Sequence, residues 1–250
     1  MRLCRVERNG AVCYGILEGD RVERLEGAPF DGIRRSGESF PLAEARLLAP
    51  TEPSKVVCVG KNYLDHAKEF DSEVPQEPLI FLKPSTAVIG PEEAVEYPSF
   101  GTRVDFEGEL GLVIGKRCRN VKAEDFAGVV LGYTCVNDVT ERDIQMKDGQ
   151  WTRGKGFDTF CPIGPWIETE LEASDLAIET RLNGAVRQHS RTSKLIFSLG
   201  RIVEHVTAFM TLLPGDVIAT GTPEGVGPMQ RGDTVEVELQ GIGVLRSYIR

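Results

Sequence analysis

Hydrophobic and polar residues alternate in short runs along most of the chain, and turn signals separate the runs. Leu3–Arg8 and Val12–Leu17 flank Asn9-Gly10, a hairpin signal, and Gly19-Asp20 precedes a third run at Arg21–Leu25. Gly27 to Gly37 is rich in glycine and charge and shows no period. Leu48-Ala-Pro-Thr-Glu-Pro53 reads as a linker. Beyond it the runs predict strands at Lys55–Gly60, Leu79–Leu82, Val129–Asn137 and Val217–Thr220. Leu176–Leu182 and Val186–Arg191 surround Asn183-Gly184, the strongest hairpin signal in the chain, and Thr234–Leu239 and Val244–Ile249 form a closing hairpin. Helical spacing is rarer. Ile202, Val203, Val206, Phe209, Met210 and Leu213 predict one long helix over Ser198–Leu212, stopped by Pro214-Gly215-Asp216. Tyr63–Phe70, with Asn62 as cap, and Val139–Met146 predict short ones. The expected class is α+β and β-dominated, with a small β-rich domain over 1–50 and a larger domain over 51–250.

One apolar run is interrupted in a way that alternation alone does not explain. Phe106–Gly115 reads as a buried strand apart from Glu107 and Glu109. Side chains two apart on a strand share a face, so these two carboxylates lie roughly 7 Å apart, with Gly111 and Val113 beside them. Phe106, Leu110, Leu112 and Ile114 take the other face. Like charges on a half-buried strand repel each other and lose hydration, and a bound cation relieves both costs. The glycines leave room for a ligand. An exposed polar face is the alternative reading.

Composition narrows the partners. The formal net charge of -9 argues against nucleic acid or an anionic membrane, while leaving a small anionic substrate open. No run approaches the ~18 apolar residues of a membrane helix, and the first residues hold no apolar stretch of signal-peptide length. The six cysteines lack C-x-x-C spacing and sit mostly in apolar runs. They predict reduced core thiols in a cytoplasmic protein rather than a zinc site.

Asp138 ends the run from Val129, where it can serve as a third carboxylate beside the glutamate pair or as the cap of the following helix. Three carboxylates suit Mg²⁺ or Mn²⁺, both hard ions. His66 and Glu69 are three apart on the short helix, so the carboxylate can orient the imidazole as a water-activating dyad. His189 and His205 read as structural. Arg142 and Gln145 share a helix face, and Lys155 lies in Arg153-Gly-Lys-Gly-Phe-Asp158, where it can neutralise substrate charge. The loop Gly221-Thr222-Pro223-Glu224-Gly225-Val226-Gly227 can present N–H groups to an anion but lacks the P-loop pattern.

Taken in order, these segments resemble the fumarylacetoacetate hydrolase superfamily, especially its acylpyruvase-like and 2-hydroxyhepta-2,4-diene-1,7-dioate isomerase-like members. The matching stretches are Val59-Gly-Lys-Asn-Tyr63 with His66 and Glu69, Phe81-Leu-Lys-Pro-Ser85, Glu107-Gly-Glu-Leu110, Gly132-Tyr133 through Asn137-Asp-Val-Thr140, Arg142-Asp143 with Gln145, Lys155-Gly-Phe-Asp158 and Ala219-Thr-Gly-Thr-Pro223. The resemblance implies a mixed, rolled sheet and a homodimer. It implies Mg²⁺ or Mn²⁺ on Glu107, Glu109 and Asp138, with His66, Glu69 and Lys155 catalytic. Arg142, Gln145, Gly221 and Thr222 are assigned to the substrate.

The implied activity is hydrolysis of a C–C bond in small 2,4-dioxo acids, through an enolate the metal stabilises. Isomerisation or tautomerisation of a 2-hydroxydienedioate, and decarboxylation of oxaloacetate, are alternatives on the same site. A structural cation in a non-enzymatic protein is a reading from another class. The helix carrying His66 is too short to be stable alone and is expected to act as a lid.

Overall fold

The computed structural model describes residues 1–64 and 74–250. The short helix predicted over Tyr63–Phe70, its His66–Glu69 dyad and the lid expected there therefore lie outside the described residues, apart from the first two positions. Twenty strands carry the described chain. The first five are β1 Arg2–Arg8, β2 Ala11–Glu18, β3 Arg21–Leu25, β4 Arg35–Pro41 and β5 Arg46–Leu47. They follow the hairpin signals read from the sequence. The exception is β4, whose exposed residues carry no apolar alternation and which falls partly in the aperiodic stretch before Gly37.

Next come β6 Lys55–Gly60, β7 Leu79–Pro84, β8 Val88–Ile89, β9 Ala94–Val95, β10 Val104–Phe106, β11 Gly108–Ile114, β12 Val130–Asn137, β13 Thr140–Glu141 and β14 Cys161–Glu168. The last six are β15 Ala177–Leu182, β16 Ala185–Arg191, β17 Val217–Ala219, β18 Gly227–Met229, β19 Thr234–Leu239 and β20 Gly243–Ile249.

A large sheet runs in the order β4-β3-β2-β1-β14-β12-β11-β17-β6-β7. The amino-terminal strands join it where Arg2 and Leu3 of β1 pair with Glu168 and Ile167 of β14. A three-stranded sheet is ordered β13-β10-β18, and a five-stranded one β16-β15-β19-β20-β9. Pairing is mixed: β17 runs parallel to β6, whereas β11 is antiparallel to both β12 and β17.

Every residue of β11 is buried, so both of its faces pack. Leu110, Leu112 and Ile114 join a core with Ile202, Val203 and Val206 of the long helix. Val113, on the opposite face, packs with Val56, Cys58, Val136 and Ala219. That is why the run reads as almost continuously apolar. The predicted single strand Phe106–Gly115 is nevertheless two strands. Glu107 belongs to neither, and Phe106 enters a different core with Val104 and Met229. The chain passes at Glu107 from the three-stranded sheet to the large one.

The described chain has three α-helices: α1 Arg142–Asp148, α2 Thr152–Lys155 and α3 Leu199–Phe209. The helix expected from Val139 begins at Arg142 instead. Its cap is Glu141, whose Oε2 accepts the Ile144 N–H at 2.6 Å, not Asp138. The long helix ends at Phe209 rather than Leu212. Leu212 and Cys118 exchange backbone hydrogen bonds of 3.0 and 3.1 Å, which holds that stretch extended although its apolar spacing continues.

Ser198 caps α3, accepting the Arg201 N–H at 3.3 Å. Ser198→Ala is expected to cost about 1 kcal/mol, the usual worth of such a cap. An unchanged urea midpoint would show that the cap contributes nothing. No helix among the described residues is long and apolar enough to cross a membrane.

Candidate active site

The register of three strands gathers the carboxylates. Gly108 at the start of β11 pairs with Asn137 at the end of β12, so the residues flanking each position, Glu107, Glu109 and Asp138, meet at one end of the sheet. Asn137 Oδ1 accepts the Glu107 N–H at 2.9 Å, and the Asp138 N–H donates to Glu107 O at 2.8 Å. On the other flank Gly111 pairs with Ala219 of β17. This brings Gly221 beside Glu109, and its N–H donates to Glu109 Oε2 at 2.7 Å. Gly221 has φ +103, and a Cβ there would lie 2.7 Å from the side chain of Asn62, so the turn requires glycine. Asn62 holds the same loop, donating from Nδ2 to Thr220 O at 2.7 Å and accepting the Phe197 N–H at 2.8 Å.

All three carboxylates are buried, and one oxygen of each lies within 4.8 Å of the others. Buried cations compensate them. Lys155 Nζ stands 2.7 Å from Glu107 Oε2 and 2.7 Å from Asp138 Oδ2. Lys83 Nζ lies 2.6 Å from Asp138 Oδ1 and donates to Val139 O at 2.9 Å. Arg142 reaches Glu107 Oε1 at 2.7 Å, Asp105 Oδ2 at 2.9 Å and Gln145 Oε1 at 2.7 Å. Buried Asp105, Glu107, Glu109 and Asp138 thus face buried Lys83, Arg142 and Lys155. With all ionised, the group is left one negative charge in excess.

Burial, followed by the neighbouring Asp138 and Glu107 charges, pushes Glu109 well above the usual carboxylate range. For Lys155, burial alone favours the neutral amine. Asp138 and Glu107 outweigh it and push the ammonium up to about 12. Lys155 is therefore a fixed charge at neutral pH.

The donor set fits a hard divalent ion: carboxylate oxygens, close together, short of one positive charge. Two buried thiols, Cys58 and Cys161, pack in the core cluster that includes Val136 and Val113. Burial holds both in the protonated form, Cys161 pushed up to about 12, so they are poor competitors as thiolate ligands. Glu107, Glu109 and Asp138 would hold Mg²⁺ or Mn²⁺.

The carboxylates and Lys155 open into a cavity of about 280 Å³, also lined by Lys61, Phe81, Arg142, Gln145, Trp151 and Thr222. Phe81 and Trp151 meet edge to face, ring centres 5.1 Å apart, and the Lys155 ammonium sits 5.1 Å from the Phe81 ring centre. A space of this size suits a small acid.

Of the residues singled out in the sequence, the structure brings together Glu107, Glu109, Asp138, Arg142, Gln145, Lys155, Gly221 and Thr222; His66 and Glu69 are not described. The Gly221 N–H goes to Glu109, and the Thr222 hydroxyl donates to Gly108 O at 2.9 Å. Gln145 Oε1 is committed to Arg142, so Gln145 would meet a ligand with its NH₂ group. Sequence reasoning missed Lys83, Asp105, Glu141 and Gln188. Lys83 alone left a signal, a lysine inside the apolar run of β7.

The family described as "Fumarylacetoacetate (FAA) hydrolase C-terminal" matches residues 55–250, and "Rv2993c-like, N-terminal" matches residues 1–50. Protein Rv2993c of Mycobacterium tuberculosis is 50% identical over 259 residues, covering 100% of this chain and 98% of that protein. The crystal structure of 2-hydroxyhepta-2,4-diene-1,7-dioate isomerase from Mycobacterium marinum is 48% identical, with a TM-score of 0.94 and coverage of 100% and 98%. The mitochondrial oxaloacetate tautomerase Fahd2a of Rattus norvegicus is 42% identical over 218 residues, 82% of this chain and 70% of that protein.

Proposed function

The chain belongs to the fumarylacetoacetate hydrolase family, and from that premise we propose that it is an isomerase or tautomerase of small 2-oxo dicarboxylates and their 2-hydroxy-ene forms. The observation that carries this reading is Lys155, a buried ammonium held protonated between two of the three clustered carboxylates and opening into the cavity. Moving a proton between carbon and oxygen next to a 2-oxo group places negative charge on that oxygen. A cation already fixed in a dry site stabilises such charge without reorganising.

Glu107, Glu109 and Asp138 would hold the divalent ion, which when bound would supply Lewis-acid polarisation of the 2-oxo group. Arg142, anchored by Asp105 and Glu107, sets the position of Gln145. The Gln145 NH₂ group donates to a substrate oxygen. Lys155 keeps its proton on Nζ throughout and answers the developing oxyanion by charge. His66, three residues before Glu69 in the sequence, is assigned the proton transfer to and from carbon. Trp151 and Phe81 wall the apolar part of the chain away from water. Two of the three relatives reported above carry names in the same sense, a 2-hydroxyhepta-2,4-diene-1,7-dioate isomerase and an oxaloacetate tautomerase.

Hydrolysis of the C–C bond in 2,4-dioxo acids is the second reading, favoured by the three-residue spacing of His66 and Glu69, which suits activation of water. One panel separates the two. Enol oxaloacetate, 2-hydroxyhepta-2,4-diene-1,7-dioate and acylpyruvates are incubated with enzyme and Mn²⁺, and with EDTA in place of the ion. Loss of the enol absorbance without release of pyruvate, suppressed by EDTA, is the expected result. Pyruvate release from acylpyruvates with no catalysed enol–keto exchange would replace the isomerase reading with the hydrolase one.

A further inference from the structure

Strand β16 is an edge strand, mostly exposed, yet Gln188 on it is completely buried. Its side chain leaves its own sheet for the backbone between the two glutamates. Gln188 Oε1 accepts the Gly108 N–H at 3.0 Å. Its Nε2 donates to Thr222 Oγ1 at 2.7 Å and to Pro223 O at 2.8 Å. The Thr222 hydroxyl in turn donates to Gly108 O at 2.9 Å. Gly108, Gln188 and Thr222 therefore close a ring of three hydrogen bonds around the one residue that separates Glu107 from Glu109. Each donor in the ring is used and each bond points the same way round, an arrangement in which bonds reinforce one another.

Packing makes the ring specific. A Cβ on Gly108 would lie 2.1 Å from Thr180 Oγ1, 3.2 Å from Val237 and 3.3 Å from Gln188 Oε1. Only glycine lets the five-stranded sheet come this close. Thr180 is the β-ladder partner of Gln188, so both contacts come from one register position. The ring also fixes the loop whose Gly221 N–H holds Glu109 Oε2. The Gln188 carboxamide thus braces the peptide that separates the two glutamates.

We propose that Gln188 is a positioning residue for the divalent-ion site, setting ion affinity by locking the Gly108 peptide and the Thr222–Pro223 loop to each other. This rests on the reading that Glu107, Glu109 and Asp138 bind the ion.

The test is Mn²⁺ affinity, read by electron paramagnetic resonance as free Mn²⁺ in a titration. The proteins are wild type, Gln188→Met, Gln188→Glu, Thr222→Val and the double variant Gln188→Met/Thr222→Val. Leu239→Ala, buried in the same five-stranded sheet and making none of the ring's hydrogen bonds, controls for lost stability. Gln188→Met is expected to raise the Mn²⁺ Kd about tenfold or more, as loss of groups that orient metal ligands does. Gln188→Glu keeps the size and the acceptor but loses both donors, and is expected to do the same should the Met variant fail to fold. Because the ring acts as one unit, the double variant is expected to bind no more weakly than the worse single one.

An unchanged Kd in a folded Gln188 variant overturns the proposal, as does an equal rise in Leu239→Ala. Wild-type protein that takes up no Mn²⁺ overturns the metal reading and this proposal with it.

Discussion

Lys155→Met is expected to destabilise the metal-free protein by about 3–5 kcal/mol at neutral pH, the usual cost of removing one partner from a buried charge cluster. Lys155 is almost completely buried and lies 2.7 Å from both Glu107 and Asp138. Methionine fills nearly the same space, so the loss is electrostatic rather than a cavity. Asp138 keeps Lys83 and Glu107 keeps Arg142, but the cluster loses one of its three buried cations. A divalent ion would more than offset the lost charge, and at 100 times its Kd adds about 2.7 kcal/mol of stability. Urea unfolding in EDTA and in Mn²⁺ measures both effects. A variant within about 1 kcal/mol of wild type in EDTA would show that the ammonium is not what holds the carboxylates together.

Glu109→Gln is expected to move stability and ion binding in opposite directions. Burial and the Asp138 and Glu107 charges raise Glu109 in the folded chain, whereas unfolding returns it to its ordinary range. Between those two values the folded state binds more protons than the unfolded one. Stability is then complete at low pH and falls as pH rises through the raised folded value. Glutamine never ionises, and it can still accept the Gly221 N–H through its carbonyl oxygen. In EDTA, Glu109→Gln should therefore be more stable than wild type at the alkaline end, with a flatter pH profile.

Ion affinity should fall at least about 100-fold, beyond what losing a supporting group costs. An ion bound there would replace the proton on wild-type Glu109, so binding should release protons and tighten as pH rises. Calorimetry in buffers of different ionisation enthalpy counts those protons. Wild-type ion affinity in Glu109→Gln, or lower stability at every pH, would remove Glu109 from the ligand set.

The carboxylate cluster was legible because carboxylates inside an apolar run stand out from its pattern. Glu107 and Glu109 interrupt a segment buried on both faces, and Asp138 closes its neighbour. Hairpins were legible from Asn-Gly pairs, whose backbone demands are local: Asn183 has φ 52 and Gly184 φ 78. What escaped depends on partners distant in sequence. Cys161–Glu168 contains Pro162 and Pro165, residues that argue against an interior strand, yet it lies between β1 and β12. Its ladder with β12 shifts register between Tyr133 and Cys135, which accommodates the missing donors. The break at Glu107 reflects a change of sheet that no period within one segment records. Gln188 looked like any polar residue of an exposed hairpin, because burial by another sheet leaves no trace in alternation.

The clustered carboxylates and the walls of the cavity sit on different kinds of element. Glu107, Glu109 and Asp138 lie at the ends of strands that are buried on both sides, while Met146 belongs to the short helix α1 and Gly149 and Trp151 to the link between α1 and α2. Strand ends in a packed core tolerate little change; a two-turn helix on the rim tolerates a good deal. The architecture therefore separates a rigid carboxylate cluster from an adjustable wall. New substrate tails can be tried by redesigning residues 146–151 alone, with the ion site as the unchanged starting material.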